Sequence, residues 1–130
     1  MPVDPTSPPP RLTFPPRRRV RRKVDFEAAY KRGRRFSDGL FTMTVRVNDV
    51  GGPRLGLAVA ARTIGNAIAR NRLRRLIRES FRHEQHRLPA ADIIVGTKVG
   101  ARHAPDPLRR QSLAALWNKI AAQCAPSSAP

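Results

Sequence analysis

Hydrophobic and polar positions change their period several times along this chain, and each change predicts an element. From Val24 to Gly33 (VDFEAAYKRG) the pattern is that of a short helix. Phe26 and Tyr30 stand four residues apart and so share a face. Asp25 can serve as N-cap or first-turn acid, and Gly33 can end the helix. The next stretch, RRFSDGLFTMTVRVND, predicts a strand, a turn at Asp38-Gly39 and a longer strand from Leu40 to about Asn48. In that strand Phe41, Met43, Val45 and Val47 alternate with Thr42, Thr44 and Arg46, so one face is buried and the other polar. VGGP is a loop, and RLGLAVAA, Arg54 to Ala61, predicts a third strand.

A helical period then runs from about Ile64 or Asn66 to about His86, with Gly65 as the joint between strand and helix. At about 100° per residue, Ala69, Leu73, Leu76, Ile77 and Ser80 fall on one side, with Phe81 at its margin. Asn71, Arg74, Arg75, Arg78 and Arg82 fall on the other, with Arg70 at its edge. The stretch Gly65–Arg82 holds six arginines and one acid, Glu79, which is placed to pair with Arg75. Like charges at Arg70, Arg74, Arg78 and Arg82 repel at four-residue spacing. Apolar packing beneath and a bound polyphosphate are the two things that can offset that repulsion.

LPAADIIVGTK gives a turn and a strand from Asp92 to Thr97. A final amphipathic helix opens at Asp106-Pro107 and carries the stripe Leu113, Leu116, Trp117 and Ile120. The order αβββαβα predicts a single α+β domain, a small central sheet packed with helices. Its expected span is residues 21–124. Residues 1–20 read as a disordered proline- and arginine-rich arm, with seven prolines in the first sixteen positions, and 125–130 as a disordered tail.

Charge sharpens the functional reading. The net charge is +17, and 22 of the 26 basic residues are arginine. Such a balance points to a polyanionic partner, with nucleic acid ahead of a membrane surface. Arginine's planar fork matches phosphates and base edges, and Asn71 adds an amide that can bond a base edge or a ribose. One cysteine, Cys124, leaves no intramolecular disulfide and reads as a small apolar side chain near a helix end. No stretch has the apolar length of a membrane span or a signal peptide, so the expected location is the cytoplasm. A self-sufficient hydrolytic nuclease needs clustered carboxylates or a paired acid and base. The nine acids are scattered, and His83 and His86 read as residues facing a helix C-terminus rather than as metal ligands. His103 falls in a loop.

The segment ARTIGNAIARNRLRRLIRESFR resembles the RNR signature of the protein component of bacterial ribonuclease P. RRKVDFEAAYKRGRRF is similar to that family's first helix and strand, PRLGLAVA to the strand entering the signature, and HRLPAADIIV to the turn and strand that follow. The likeness covers roughly Arg21 to Gln123. It implies a left-handed βαβ crossover around the arginine helix. It also implies the protein subunit of a holoenzyme whose catalyst is an RNA, one that hydrolyses precursor tRNA to remove the 5′ leader. On that resemblance Arg70, Asn71, Arg72, Arg74, Arg75 and Arg78 lie against the catalytic RNA, and Phe26 and Tyr30 line a cleft for the single-stranded leader. The family often has two basic residues after the third strand. Here they read Ala61-Arg62, so Arg62 alone carries that contact over. Mg²⁺ is expected in the RNA-containing holoenzyme, with no protein ligands for it, and no obligate protein partner is evident. Two rivals remain: a general RNA-binding or ribosomal-type protein without a leader cleft, and a helix-turn-helix DNA binder. The predicted order disfavours the second because it places no helix at the required spacing ahead of the arginine helix.

Overall fold

The computed structural model of the chain describes residues 18–124, so most of the expected arm and all of the expected tail lie outside the described residues. Helix α1 (Lys23–Arg32) leads into strands β1 (Arg34–Ser37), β2 (Phe41–Val47) and β3 (Arg54–Ala58). A one-turn helix α2 (Ala61–Ile64) precedes the arginine helix α3 (Ala67–Glu84). Strand β4 (Ala91–Thr97), a short α4 (Val99–His103) and the terminal helix α5 (Asp106–Cys124) complete the order. The sheet order is β1-β2-β4-β3. Strand β4 runs antiparallel to β2 and parallel to β3, so α3 lies in the connection between two parallel neighbours.

The αβββαβα framework is present, with α2, α4 and a 3₁₀ turn at Gln85–Arg87 added to it. Several local expectations shift as a result. Strand β3 ends at Ala58 rather than Ala61, because Ala60 caps α2 and accepts a hydrogen bond from the Thr63 hydroxyl. Gly65 therefore joins two helices rather than a strand and a helix. Its φ of +109° is a conformation that side-chain-bearing residues rarely adopt. His103 closes α4 instead of lying in a loop. Asp25 is a first-turn acid of α1, whose N-cap position is Arg22. The folded unit begins before Arg21: Arg19 bridges Leu55 on the β3 edge, and Val20 is buried.

Strand alternation sorts the core into two layers. Phe41, Met43 and Val45 of β2, with Leu55, Ile93 and Val95, face α3 and α5. Val47, expected on this buried face, is 75% exposed because it ends the strand. Trp117 of α5 sits fully buried at the helix–helix seam, donates Nε1–H to the Ser80 hydroxyl at 2.8 Å, and meets Phe81 edge-on at 5.9 Å. On the opposite sheet face α1 packs through Ala29 and the half-buried Phe26 against Val20 and Ile94. Gly56 makes this possible: a Cβ there would lie 2.6 Å from Ile94 Cδ1 and 3.1 Å from the Phe26 ring.

Two polar devices hold the layers in register. At the hairpin, Asp38 Oδ1 accepts the Leu40 and Phe41 N–H groups, and its other oxygen accepts the Ser112 hydroxyl of α5. Burial opposes ionisation of Asp38, but these bonds and the nearby Lys98 charge outweigh it and hold the carboxyl below its ordinary range. At the other end of the sheet Asp92 is fully buried and receives both Arg54 Nε and Nη2 at 2.7 Å and Asn48 Nδ2 at 2.8 Å. Arg54 Nη2 also lies 3.6 Å from Asp25, which ties the first turn of α1 to the sheet. Removing one member of a buried, hydrogen-bonded ion pair leaves an uncompensated charge. Asp92→Ala is therefore expected to cost about 3 kcal/mol. Urea unfolding followed through the single tryptophan, Trp117, measures it; a loss under about 1 kcal/mol, the scale of an exposed pair, would contradict this role.

Candidate nucleic-acid interface

Helix α3 presents the cationic face, and its local sequence explains its direction. Asn66 caps it, accepting the Ala69 N–H at 2.9 Å, directly after the turn at Gly65. Leu73, Leu76, Ile77 and Phe81 are buried, which fixes the rotation of the helix about its axis. Asn71, Arg72, Arg75 and Arg78 are then exposed, and Arg70 and Arg74 are half-buried at the flanks. Arg62 is exposed on α2, ahead of the Gly65 turn, and Ala61 is exposed beside it.

The arginines are not equivalent. Asn71 Oδ1 accepts Arg74 Nη1–H at 2.9 Å, so the amide first orients a neighbouring guanidinium. Burial, and then the charges of Arg19 and Arg74, lower the pKa of the Arg78 guanidinium. The two neighbouring guanidinium groups thus add to the effect of burial, and a bound anion would offset both. Glu79 pairs with Arg82 and His83, not with Arg75 as expected. An acid placed N-terminal to its cation on a helix is the better orientation, and Arg75 lies on the wrong side of Glu79 for it. Arg70, Arg72, Arg75 and Arg78 consequently have no ion-pair partner among the described residues.

The two α1 aromatics share a helix face but not an environment. Phe26 forms one wall of a groove of about 210 Å³ with Leu55, Leu57, Arg19, Arg74 and Arg78. Tyr30 stands outside that groove and is 55% exposed. Partial burial raises its hydroxyl pKa against the lowering influence of Arg35. Sequence reasoning missed Arg19 as a wall of this groove and Arg54 as the tie between α1 and the sheet. The first sits in a run of arginines with nothing to single it out, and the second pairs with an acid 38 positions away.

No group of three or more His, Cys, Asp or Glu side chains comes together among the described residues. The carboxylates that share a groove with the basic face are engaged, Glu79 by Arg82 and His83 and Asp106 by Arg109, and the buried Asp92 is held by Arg54 and Asn48. These residues do not fit a Mg²⁺ site. Helix α2 is a single turn of four residues, too short to act as the supporting helix of a helix-turn-helix. No helix among the described residues is long and apolar enough to cross a membrane.

A one-sided arginine helix on a small α+β scaffold has the chemistry of a polyanion-binding subunit. The family model described as Ribonuclease P matches residues 14–121, and the chain belongs to the ribonuclease P protein family. The ribonuclease P protein component of Aliivibrio fischeri is 38% identical over 96 residues, covering 74% of this chain and 82% of the relative. That of Escherichia coli O157:H7 is 36% identical over 109 residues, covering 84% and 92%. Among solved structures, the RNase P protein of Staphylococcus aureus superposes with a TM-score of 0.75 at 29% identity, covering 78% of this chain and 94% of that one. The Thermotoga maritima protein gives 0.71 at 29% identity, covering 78% and 96%. The family acts in tRNA 5′ processing as the protein part of the ribonuclease P holoenzyme.

Uncompensated cations make the isolated protein sensitive to screening. Raising NaCl from about 0.05 to about 0.5 M is expected to raise its melting temperature, because exposed repulsions are screened while the buried Arg54–Asp92 pair is largely spared. A melting temperature that falls with salt would mean that attractive surface pairs dominate.

Proposed function

We propose that the chain binds the catalytic RNA of ribonuclease P through Arg62 and the exposed side of α3, and guides the 5′ leader of precursor tRNA past Phe26 and Tyr30. The observation that carries this reading is the uncompensated guanidinium face of Arg70, Arg72, Arg74, Arg75 and Arg78, held rigidly by a buried apolar stripe. Arginine contacts to phosphate displace condensed counterions and supply affinity that is independent of sequence. An aromatic ring left partly open, as at Phe26 and Tyr30, can stack an unpaired base for about 1–3 kcal/mol. The chain's own residues then bind and orient, and the hydrolytic chemistry belongs to the RNA. Mg²⁺ is assigned to the RNA as well, since no group of three or more candidate ligands comes together among the described residues, and Glu79 and Asp92 are already held by Arg82 and Arg54. Cationic charge along the RNA lowers the phosphate repulsion that substrate docking creates.

Adding the protein to its cognate catalytic RNA at low Mg²⁺ should increase cleavage of precursor tRNA over RNA alone, and the Arg70→Ala/Arg72→Ala/Arg74→Ala variant should lose that gain while keeping its circular dichroism. No gain with the wild-type protein would favour a general RNA-binding protein instead. Tyr30→Ala is expected to weaken the holoenzyme's binding of leader-bearing substrate by up to about tenfold and to spare mature tRNA. Equal losses for both ligands, read by titration, would contradict the leader assignment.

A further inference from the structure

Beyond the face just assigned, α3 has a second margin, turned toward α5. Arg72, Arg75, Leu76 and Glu79 line it from α3, and Asp106 and Arg110 line it from α5. Together they bound a groove of about 480 Å³, within the range of sites that hold nucleotide-sized ligands. A second hollow continues it along α3 and shares Leu76, Glu79 and Arg110. Both acids of the groove are already paired with other cations: Glu79 with Arg82, and Asp106 with Arg109 at 3.0 Å. The three arginines have no hydrogen-bond or ion-pair partner among the described residues. The groove is thus net cationic, with guanidinium groups on both banks and an apolar floor at Leu76, which is 8% exposed.

We infer that this groove seats a backbone segment of the catalytic RNA, with Arg110 of α5 contacting a phosphate from the bank opposite Arg72 and Arg75. The inference rests on the reading of α3 as the RNA-facing helix and extends the interface to a second helix. Two banks that each carry guanidinium groups, with their acids already paired, match a phosphodiester chain running along the groove, since each phosphate can be approached from both sides. Arg110 belongs to this interface because it lies on the α5 side facing Leu76. Lys119 is also exposed on α5 but sits nine residues on, about 180° round the helix, and faces away.

That pair supplies the test. Equilibrium binding of the full-length protein to its cognate catalytic RNA is measured across a salt series for the wild type and for Arg72→Ala, Arg75→Ala, Arg110→Ala, Arg110→Gln and Lys119→Ala. Arg110→Gln keeps the aliphatic stem and helix propensity, which guards against a loss caused by disturbed packing. Both Arg110 variants should bind about three- to tenfold more weakly near physiological salt, and the slope of log affinity against log salt should fall by about one. Lys119→Ala should match the wild type. If the Arg72 and Arg75 variants weaken binding and the Arg110 variants do not, the groove inference is overturned and the assignment of α3 stands. If none of the arginine variants weakens binding, the assignment of α3 falls and the inference with it. A loss in Lys119→Ala equal to that in Arg110→Ala would reduce the effect to net charge and overturn the groove as a site.

Discussion

Everything the protein can do with its charge depends on a contest within α3 between like-charge repulsion and apolar packing. Leu73, Leu76, Ile77 and Phe81 are each between 0 and 8% exposed, and burying side chains of this kind contributes about 1.5–3 kcal/mol apiece. Arginine pairs at four-residue spacing oppose the helix by only a few tenths of a kcal/mol each. Packing wins by roughly an order of magnitude, so the helix folds without recruiting acids to its outer face. The cations stay available, and their direction is as rigid as the core beneath them. The Asn66 cap and the Gly65 turn set where this ridge begins, and Trp117 of α5 locks its far end through Ser80 and Phe81.

The sheet relates that ridge to the aromatic side of the molecule. Strand β3 lies at one edge, with α3 on one face and α1 on the other, so Phe26 and the Arg74–Arg78 flank of α3 reach the same groove around that edge. Gly56 lets the Phe26 ring come down onto the sheet, and the Asp25–Arg54–Asp92 chain of charges anchors the first turn of α1 nearby. Under the proposed function, the grip on the catalytic RNA and the path of the leader are therefore mechanically joined through one small sheet. A subunit that brings two RNAs together without reacting with either needs a fixed distance between two contact surfaces, and this fold supplies it.

Periodicity made much of this legible before any coordinates. The apolar stripe of α3, the alternation in β2 and the Leu113–Ile120 stripe of α5 all follow from local spacing, and each packs as that spacing requires, apart from Val47, exposed at its strand end, and Thr44, buried on the face expected to be polar. Short helices were less visible: α2 and α4 have four and five residues, too few to establish a period. Long-range electrostatic choices were not visible at all. Glu79 had cations on both sides, and only the built helix shows it reaching Arg82 and His83. Arg54 and Asp92 looked like two ordinary strand residues until the parallel pairing of β3 and β4 set them side by side. Grooves between elements depend on tertiary placement, which is why Phe26 and Tyr30 could be grouped by spacing and yet stand in different surroundings, and why Arg19 and Arg110 carried no mark of their own. The assignment of the basic face to an RNA partner drew on both charge and family resemblance, and the match over residues 14–121 places the chain in that family.

The most direct measurement of the central claim is the salt dependence of wild-type binding to the catalytic RNA. If the exposed side of α3 is a phosphate-contacting surface, log affinity must fall linearly with log salt at a slope of about −4 to −6, the value for six or seven neutralised phosphates. A slope near −1 at comparable affinity would show that the arginine ridge is not what holds the RNA.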